Sequence, residues 1–321
     1  MYFTLLLYAL FGSVFTIGKQ SLQYAQPFFI IGSRMTAAGM LLLAYMFLRD
    51  RKSFKFDAFS ISRLFLLGLF NIFLTNTCEF WGLQYLTSGK TCLLYSISPF
   101  IAALLSYFIL SEVMNARKWL GLTTGFIGFL PIILSHTDEE KLAGSLFIFS
   151  LPELAVLGAA TFSVYGWILI RQLVNEKNLN PLIINGISMT IGGLMTLLHS
   201  YWIENWNPLP IFEGKEWGFI ETTLAMLVIS NFICYNLYGF LLKRYTATFM
   251  SFAGFSTPIF VVLFGWTFLG EAVPWQFWCS FVVVFLSLYI FHKEEIKSDF
   301  FYQTRNFKTK IETDKISISM D

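Results

Sequence analysis

Charge is scarce in this chain. Asp, Glu, Lys and Arg make up 13% of its 321 residues, whereas a soluble domain carries about 25%. A surface so poor in charge has to face something other than water. Histidine is rarer still: His136, His199 and His292 are scattered, which leaves no metal constellation. The four cysteines, Cys78, Cys92, Cys234 and Cys279, each sit in an apolar run without a CxxC pair. That spacing excludes a disulfide framework and a zinc site, and reads as small buried hydrophobes. There is no GxxxxGK[ST] loop, no HExxH and no GxSxG elbow, so neither an ATP motor nor a hydrolase is encoded and no cofactor is implied. A net charge of +2 points to no nucleic-acid partner. Apolar sequence begins at Tyr2 without a basic n-region or a small-residue cleavage site, so no cleavable signal peptide is expected.

What the chain has instead is apolar length. Hydrophobic residues reach 56%, with 37 Phe, 14 Tyr and 9 Trp, and the mean hydropathy is +0.63. A bilayer core about 30 Å thick takes roughly 20 apolar residues per helix. Ten such runs are present, at 2–18, 27–48, 64–86, 88–110, 117–134, 151–170, 181–202, 217–242, 247–269 and 274–291. The fold class is therefore all-α and integral to the membrane, with ten transmembrane helices and the lipid bilayer as its partner. The segment 292–321 is polar and mixed in charge, and is expected to be a cytoplasmic tail. Basic residues fix the orientation. With the N-terminus in the cytoplasm, 17 basic residues of the loops and tail lie inside, among them Arg49, Arg51, Lys118, Arg171 and Lys243. Only four, Lys19, Lys90, Lys141 and Lys215, lie outside. Both ends are then cytoplasmic and the number of spans is even.

The sequence also repeats. A shift of 159 residues brings Thr87 onto Thr246, Pro99 onto Pro258, Glu112 onto Glu271, Trp119 onto Trp278 and Phe126 onto Phe285. A shift of 154 brings Pro27, Gly32, Met35, Thr36 and Gly39 onto Pro181, Gly186, Met189, Thr190 and Gly193. The smaller offset fits a longer loop near 203–216. An internal repeat of five helices, an odd number, predicts a second copy inserted upside down. Inverted repeats mark many secondary transporters, whose substrate sits near the bilayer midplane where the halves meet.

Two segments carry a family resemblance. One runs from Leu86 to Leu134, with Pro99 inside a helix, LSE at 110–112, and Gly121, Gly125 and Gly128. The other runs from Tyr245 to Phe291, with Pro258 and LGE at 269–271. Each resembles an EamA-type half of the drug/metabolite transporter superfamily, over about residues 1–291, with Ser111 in place of one motif glycine. The resemblance implies a first repeat at 1–134, a second at 135–291 and the tail at 292–321. It also implies a carrier of small molecules rather than an enzyme, in the cell inner membrane. It leaves homodimerisation open.

Two ionisable residues fall inside spans. Arg34 and Glu79 each lie seven residues from the outer ends of helices two and three, about 10 Å deep at a rise of 1.5 Å per residue. Charge at that depth costs several kcal/mol or more unless paired or wetted. Either the two form a buried salt-bridged strut, or Glu79 faces a water-filled cavity and meets substrate or a proton. Asn71, Thr75, Glu79 and Gly82 share one helix face, and Thr91, Tyr95, Ser98 and Ala102 another. Such stripes line a cavity or pack helices closely. Gly121, Gly125 and Gly128 read as packing residues, Glu112 and Glu271 as loop fasteners. Glu153 and Glu221 are read as charges at the outer mouth. Tyr165 and Trp167 read as packing residues, with a route to the cavity left open.

The candidate substrate-binding residues are thus Arg34, Glu79, Tyr95 and Ser98 in the first half, with Tyr235 and Tyr238 in the second. A lone carboxylate among aromatics suits a small cationic or zwitterionic ligand with a flat ring. The first helix has no acidic residue, unlike short multidrug exporters of the superfamily, and no intramembrane Lys/Arg cluster suggests a phosphorylated sugar. The opening LLLYALFGSVFTIGKQSLQY and the Phe-rich composition are similar to the S-adenosylmethionine carriers of host-dependent bacteria. That resemblance implies S-adenosylmethionine uptake, by antiport against S-adenosylhomocysteine. The alternative is an amino-acid or related metabolite exporter.

Overall fold

The structure is a computed structural model, and it describes residues 2–51, 54, 56–110, 116–135, 137–175, 177, 179–241, 254, 256–287 and 289–290. Ser111 and Glu112, the start of the run at 247–269 and the tail at 292–321 lie outside the described residues. Twelve helices carry the fold among those described: α1 (Tyr2–Ser21), α2 (Pro27–Arg49), α3 (Ala58–Tyr85), α4 (Ser88–Tyr95), α5 (Ser98–Leu110), α6 (Ala116–Ile133), α7 (Asp138–Leu142), α8 (Leu151–Asn175), α9 (Pro181–Ile203), α10 (Glu216–Leu241), α11 (Thr257–Leu269) and α12 (Trp275–Ser287). A small antiparallel hairpin of β1 (Ser145–Leu146) and β2 (Phe149–Ser150) precedes α8.

By length and composition five of these, α2, α3, α8, α9 and α10, are each long and apolar enough to cross a bilayer, and α6, α11 and α12 are shorter apolar helices. Their outward faces carry Leu48, Leu194, Leu198, Leu224 and Leu263, all exposed. Trp202, Trp217, Trp266 and Trp275, also exposed, lie near helix ends, as aromatic side chains do at the two membrane interfaces. An apolar outside of this extent requires lipid. Cys279 is one of the outward residues, so the expectation that all four cysteines are buried fails there; lipid is as apolar as a core.

Local chemistry explains where the helices start and break. Pro27 and Pro181 occupy first turns, where the missing N–H costs nothing. The predicted span 88–110 is two helices. Pro99 has no N–H to offer, the helical ladder stops at Tyr95, and the Ser98 hydroxyl donates to the freed Tyr95 carbonyl at 2.6 Å. Within α3 and α10 the backbone widens into π-helical stretches, Gly68–Leu74 and Leu227–Cys234. Each ends beside an asparagine that takes up carbonyls of the widened turn. Asn76 Nδ2 donates to Ile72 O at 2.8 Å, and Asn236 Nδ2 donates to Asn231 O and Phe232 O, both at 3.0 Å. Such insertions recur at functional sites.

Packing then brings distant parts of the chain together. α2 lies along α9 over most of its length, and α3 packs on α8 and α9. A Cβ on Gly39 would meet the backbone of Thr190 and one on Gly193 the backbone of Thr36, so α2 and α9 approach main chain to main chain. α1 lies between α3 and α4 on one side and α10 and α11 on the other. The loop at 203–215 folds back on the α1–α2 turn, with Gln26 N donating to Pro210 O and Phe212 N to Tyr24 O, both at 2.9 Å.

Candidate functional site

Five polar side chains gather where α2, α3, α4 and α10 face one another. Glu79 accepts a hydrogen bond from the Tyr95 hydroxyl at 2.8 Å. Arg34, 1% exposed, donates from Nη2 to Asn76 Oδ1 at 3.4 Å, and its guanidinium lies 5.6 Å from the Phe80 ring centre. Tyr235 of α10 neighbours Arg34, Glu79 and Asn76. The salt bridge that the strut alternative requires between Arg34 and Glu79 is not formed: among the described residues no carboxylate lies within 4.0 Å of the guanidinium. Each charge is instead held by a neutral partner, Asn76 for the cation and Tyr95 for the anion. The strut reading therefore loses its direct contact, while the electrostatic coupling of the pair remains.

Rings extend this cluster. Trp167 of α8 lies 4.1 Å from Tyr238 and 5.8 Å from Tyr235, centre to centre. Phe11 of α1 meets Tyr238 edge-on at 6.5 Å, and Phe15 meets Tyr95 at 5.7 Å. These residues and Glu79 are only partly buried, although they lie between packed helices. Side chains that line a space between helices have this exposure. Trp167 thus belongs with the candidate tyrosines, whereas Tyr165 packs on Phe70 at 5.1 Å. Sequence reading missed Asn76, Phe11 and Phe15. Asn76 carried a signal, a buried amide one residue off the polar stripe of α3. The two phenylalanines were indistinguishable from 35 others.

The stripe itself resolves in favour of packing. A Cβ on Gly82 would meet Val156 and Pro152, and one on Gly166 would meet Asn71. Thr75 Oγ1 donates to Phe70 O at 2.8 Å. The Thr75 hydroxyl also donates to Ala159 O of α8 at 3.4 Å, so Asn71, Thr75 and Gly82 serve the contact of α3 with α8, and of this stripe Glu79 joins the polar cluster. Thr91 is fully buried and bonded to the Thr87 carbonyl. Gly125 and Gly128 pack against Phe100 and against Val283 and Val284. An apolar pocket of about 270 Å³ among Leu94, Ile97, Phe126, Phe129, Ile133 and Leu157 has no polar lining residue and lies apart from this chemistry.

Charge at the helix ends is organised rather than free. Lys90 Nζ lies 2.7 Å from both Glu140 and Glu153, all three buried, and donates to Ser135 O at 3.1 Å. Glu153, expected at an open mouth, is therefore part of a buried ion triad. Glu271 of the LGE motif does fasten a loop: it accepts from Ser88 N at 2.9 Å and from the Ser88 hydroxyl at 2.5 Å, capping α4. Glu204, just past α9, caps α2 through Phe28 N and Phe29 N at 2.6 and 2.9 Å; burial raises its pKa, partly offset by Ser200 and these amides. Asp57 caps α3, and its hydrogen bonds to Lys177 and Ser60 hold its pKa below the usual carboxylate value.

Long apolar helices, a lipid-facing exterior and an internal cluster of charges and rings define a multi-pass membrane protein built to handle a polar molecule. Comparison makes this specific. The model of the EamA-like transporter family matches residues 1–134 and 150–292. The S-adenosylmethionine/S-adenosylhomocysteine transporter of Chlamydia muridarum is 36% identical over 288 residues, 89% of each chain. The protein of the same name from Chlamydia trachomatis serovar L2 is 37% identical, covering 89% of this chain and 86% of its own. A WAT1-related chloroplastic protein of Arabidopsis thaliana is 27% identical over 81% of this chain and 61% of its own. One crystal structure, 14% identical, superposes with a TM-score of 0.62 over 90% of this chain and 93% of that one, a likeness of fold alone. The chain belongs to the EamA-like transporter family, and it is a transporter rather than an enzyme.

Proposed function

We propose that this transporter takes up S-adenosylmethionine across the inner membrane by alternating access, in exchange for S-adenosylhomocysteine. The observation that carries the reading is Glu79, an acidic side chain at membrane depth, bonded to Tyr95 and set beside Tyr235. A sulfonium or ammonium group is attracted by the carboxylate. An adenine ring has the stacking surfaces of Tyr235, Tyr238 and Trp167. The Ser98 hydroxyl donates to the Tyr95 carbonyl at the break between α4 and α5 and keeps its oxygen lone pairs for a ligand donor. Names carried by relatives at 36% and 37% identity support the same substrate pair. The test is uptake of labelled S-adenosylmethionine by purified protein in liposomes preloaded with S-adenosylhomocysteine. Saturable uptake that needs internal S-adenosylhomocysteine is expected. Uptake of amino acids with no response to either adenosyl compound would sink the reading in favour of a metabolite exporter.

The proposed framework is ten spans in two inverted repeats, 1–134 and 135–291, with the tail 292–321 and both termini in the cytoplasm. The paired π-stretches of α3 and α10, each closed by an asparagine, support it, as does the crossing of α2 with α9. The two halves then rock about a site between them. Accessibility tags at residue 55 and at the C-terminus are expected to report cytoplasm, and tags at 139 and 210 the opposite side, as the basic residues dictate. A C-terminus on the outer side would end both the orientation and the five-plus-five division.

A further inference from the structure

Among the described residues Arg34 is a buried cation without a paired anion. It is 1% exposed, and neither Nε nor Nη1 has a hydrogen-bond partner among the described residues. Its one bond, from Nη2 to Asn76, is long at 3.4 Å, and a neutral amide does not neutralise a cation. Burying an unpaired charge costs several kcal/mol. Glu79, an anion that acts on the guanidinium electrostatically, is directed to Tyr95 instead. The cluster therefore holds a cation and an anion that feel each other without touching. Neutral groups hold both in place, and each keeps unused bonding capacity.

This arrangement has a chemical complement. A molecule carrying an ammonium group and a carboxylate on one carbon presents the opposite pair of charges at short separation. Arg is suited to the carboxylate because its planar guanidinium offers several donors that match two acceptor oxygens. We infer that Arg34 receives the α-carboxylate of the transported ligand while Glu79 receives its ammonium or sulfonium end, so that the site selects substrates with an amino-acid head. The inference rests on the substrate reading above and deepens it. Stacking alone would accept any adenosyl compound; the two charges restrict passage to those with an intact amino-acid end. Arg34 is thus a ligand-binding residue in its own right, and its burial is tolerated because the cargo supplies the missing anion.

The test is competition against labelled S-adenosylmethionine uptake in liposomes. S-adenosylhomocysteine is compared with its decarboxylated counterpart, which keeps ring, thioether and amine, and with methylthioadenosine, which lacks the whole head. The wild-type protein is expected to discriminate against the decarboxylated compound by at least about tenfold, the effect of losing a hydrogen-bonded charged contact. In Arg34→Gln, S-adenosylhomocysteine should compete no better than the decarboxylated compound. Equal competition by the two in the wild type overturns the inference and leaves the substrate reading intact. So does undiminished discrimination by a folded Arg34→Gln protein, because the carboxylate is then read elsewhere. No uptake of S-adenosylmethionine by the wild type overturns the substrate reading and this inference together. The wild-type comparison needs no variant, so a poorly folding Arg34→Gln does not blunt the test.

Discussion

Glu79→Gln is expected to reduce S-adenosylmethionine uptake about tenfold or more at unchanged folded yield, since hydrogen bonds and contacts to a charged group contribute about 1.5–3 kcal/mol. The amide still accepts from Tyr95, whose hydroxyl lies 2.8 Å from the present carboxylate, so local structure has little reason to change. What disappears is the charge. A carboxylate between low-dielectric walls acts strongly on a cation, and S-adenosylmethionine carries a sulfonium charge that S-adenosylhomocysteine lacks. Loss should therefore be larger for the methylated form. Tyr238→Ala supplies the contrast. The Tyr238 ring lies 4.1 Å from that of Trp167, centre to centre, with the planes tilted, and its loss should affect both ligands equally, because both contain adenine. Equal loss of the two ligands in Glu79→Gln would show that the carboxylate reads the shared ammonium group. Undisturbed transport in both variants would move the site to other helix faces.

The second large effect is on stability. Lys90→Met removes the sole cation of a buried triad and leaves Glu140 and Glu153 facing each other across a gap that Lys90 now spans at 2.7 Å to each. Breaking a buried pair costs about 3–5 kcal/mol because the remaining charge is uncompensated, and here two charges remain. A sharp fall in thermal stability in detergent and in membrane-inserted yield is expected. Glu153→Gln should be much milder, since Lys90 and Glu140 still form a neutral pair. The triad joins the first turn of α4, the short helix α7 and the start of α8, so its loss should loosen the contact among these three elements. Glu153→Gln more damaging than Lys90→Met would refute this account of the charges.

Much of this protein was legible in its sequence, and the reason is lipid. A bilayer demands long apolar helices with internally satisfied backbones. The apolar runs could therefore be read directly from residue order, although the run at 88–110 is two helices. Charge at membrane depth is so costly that Arg34 and Glu79 announced themselves, and the LGE glutamate was recognisable as a fastener. What residue order could not supply was partnership. Glu79 and Arg34 sit at similar depths, which suggested a pair. Only the folded chain shows Glu79 turned to Tyr95 and Arg34 to Asn76. Asn71, Thr75 and Gly82 share Glu79's stripe, yet α8 packs over them, because small residues and polar residues satisfy close helix contact as well as they line a cavity. Glu153 read as a mouth charge until Lys90, far away in sequence, was brought against it. The sequence by itself determined the helices, the class of protein and the presence of an acid and a base inside it. Tertiary structure alone decided which groups meet, since contacts between helices depend on packing that no periodicity encodes.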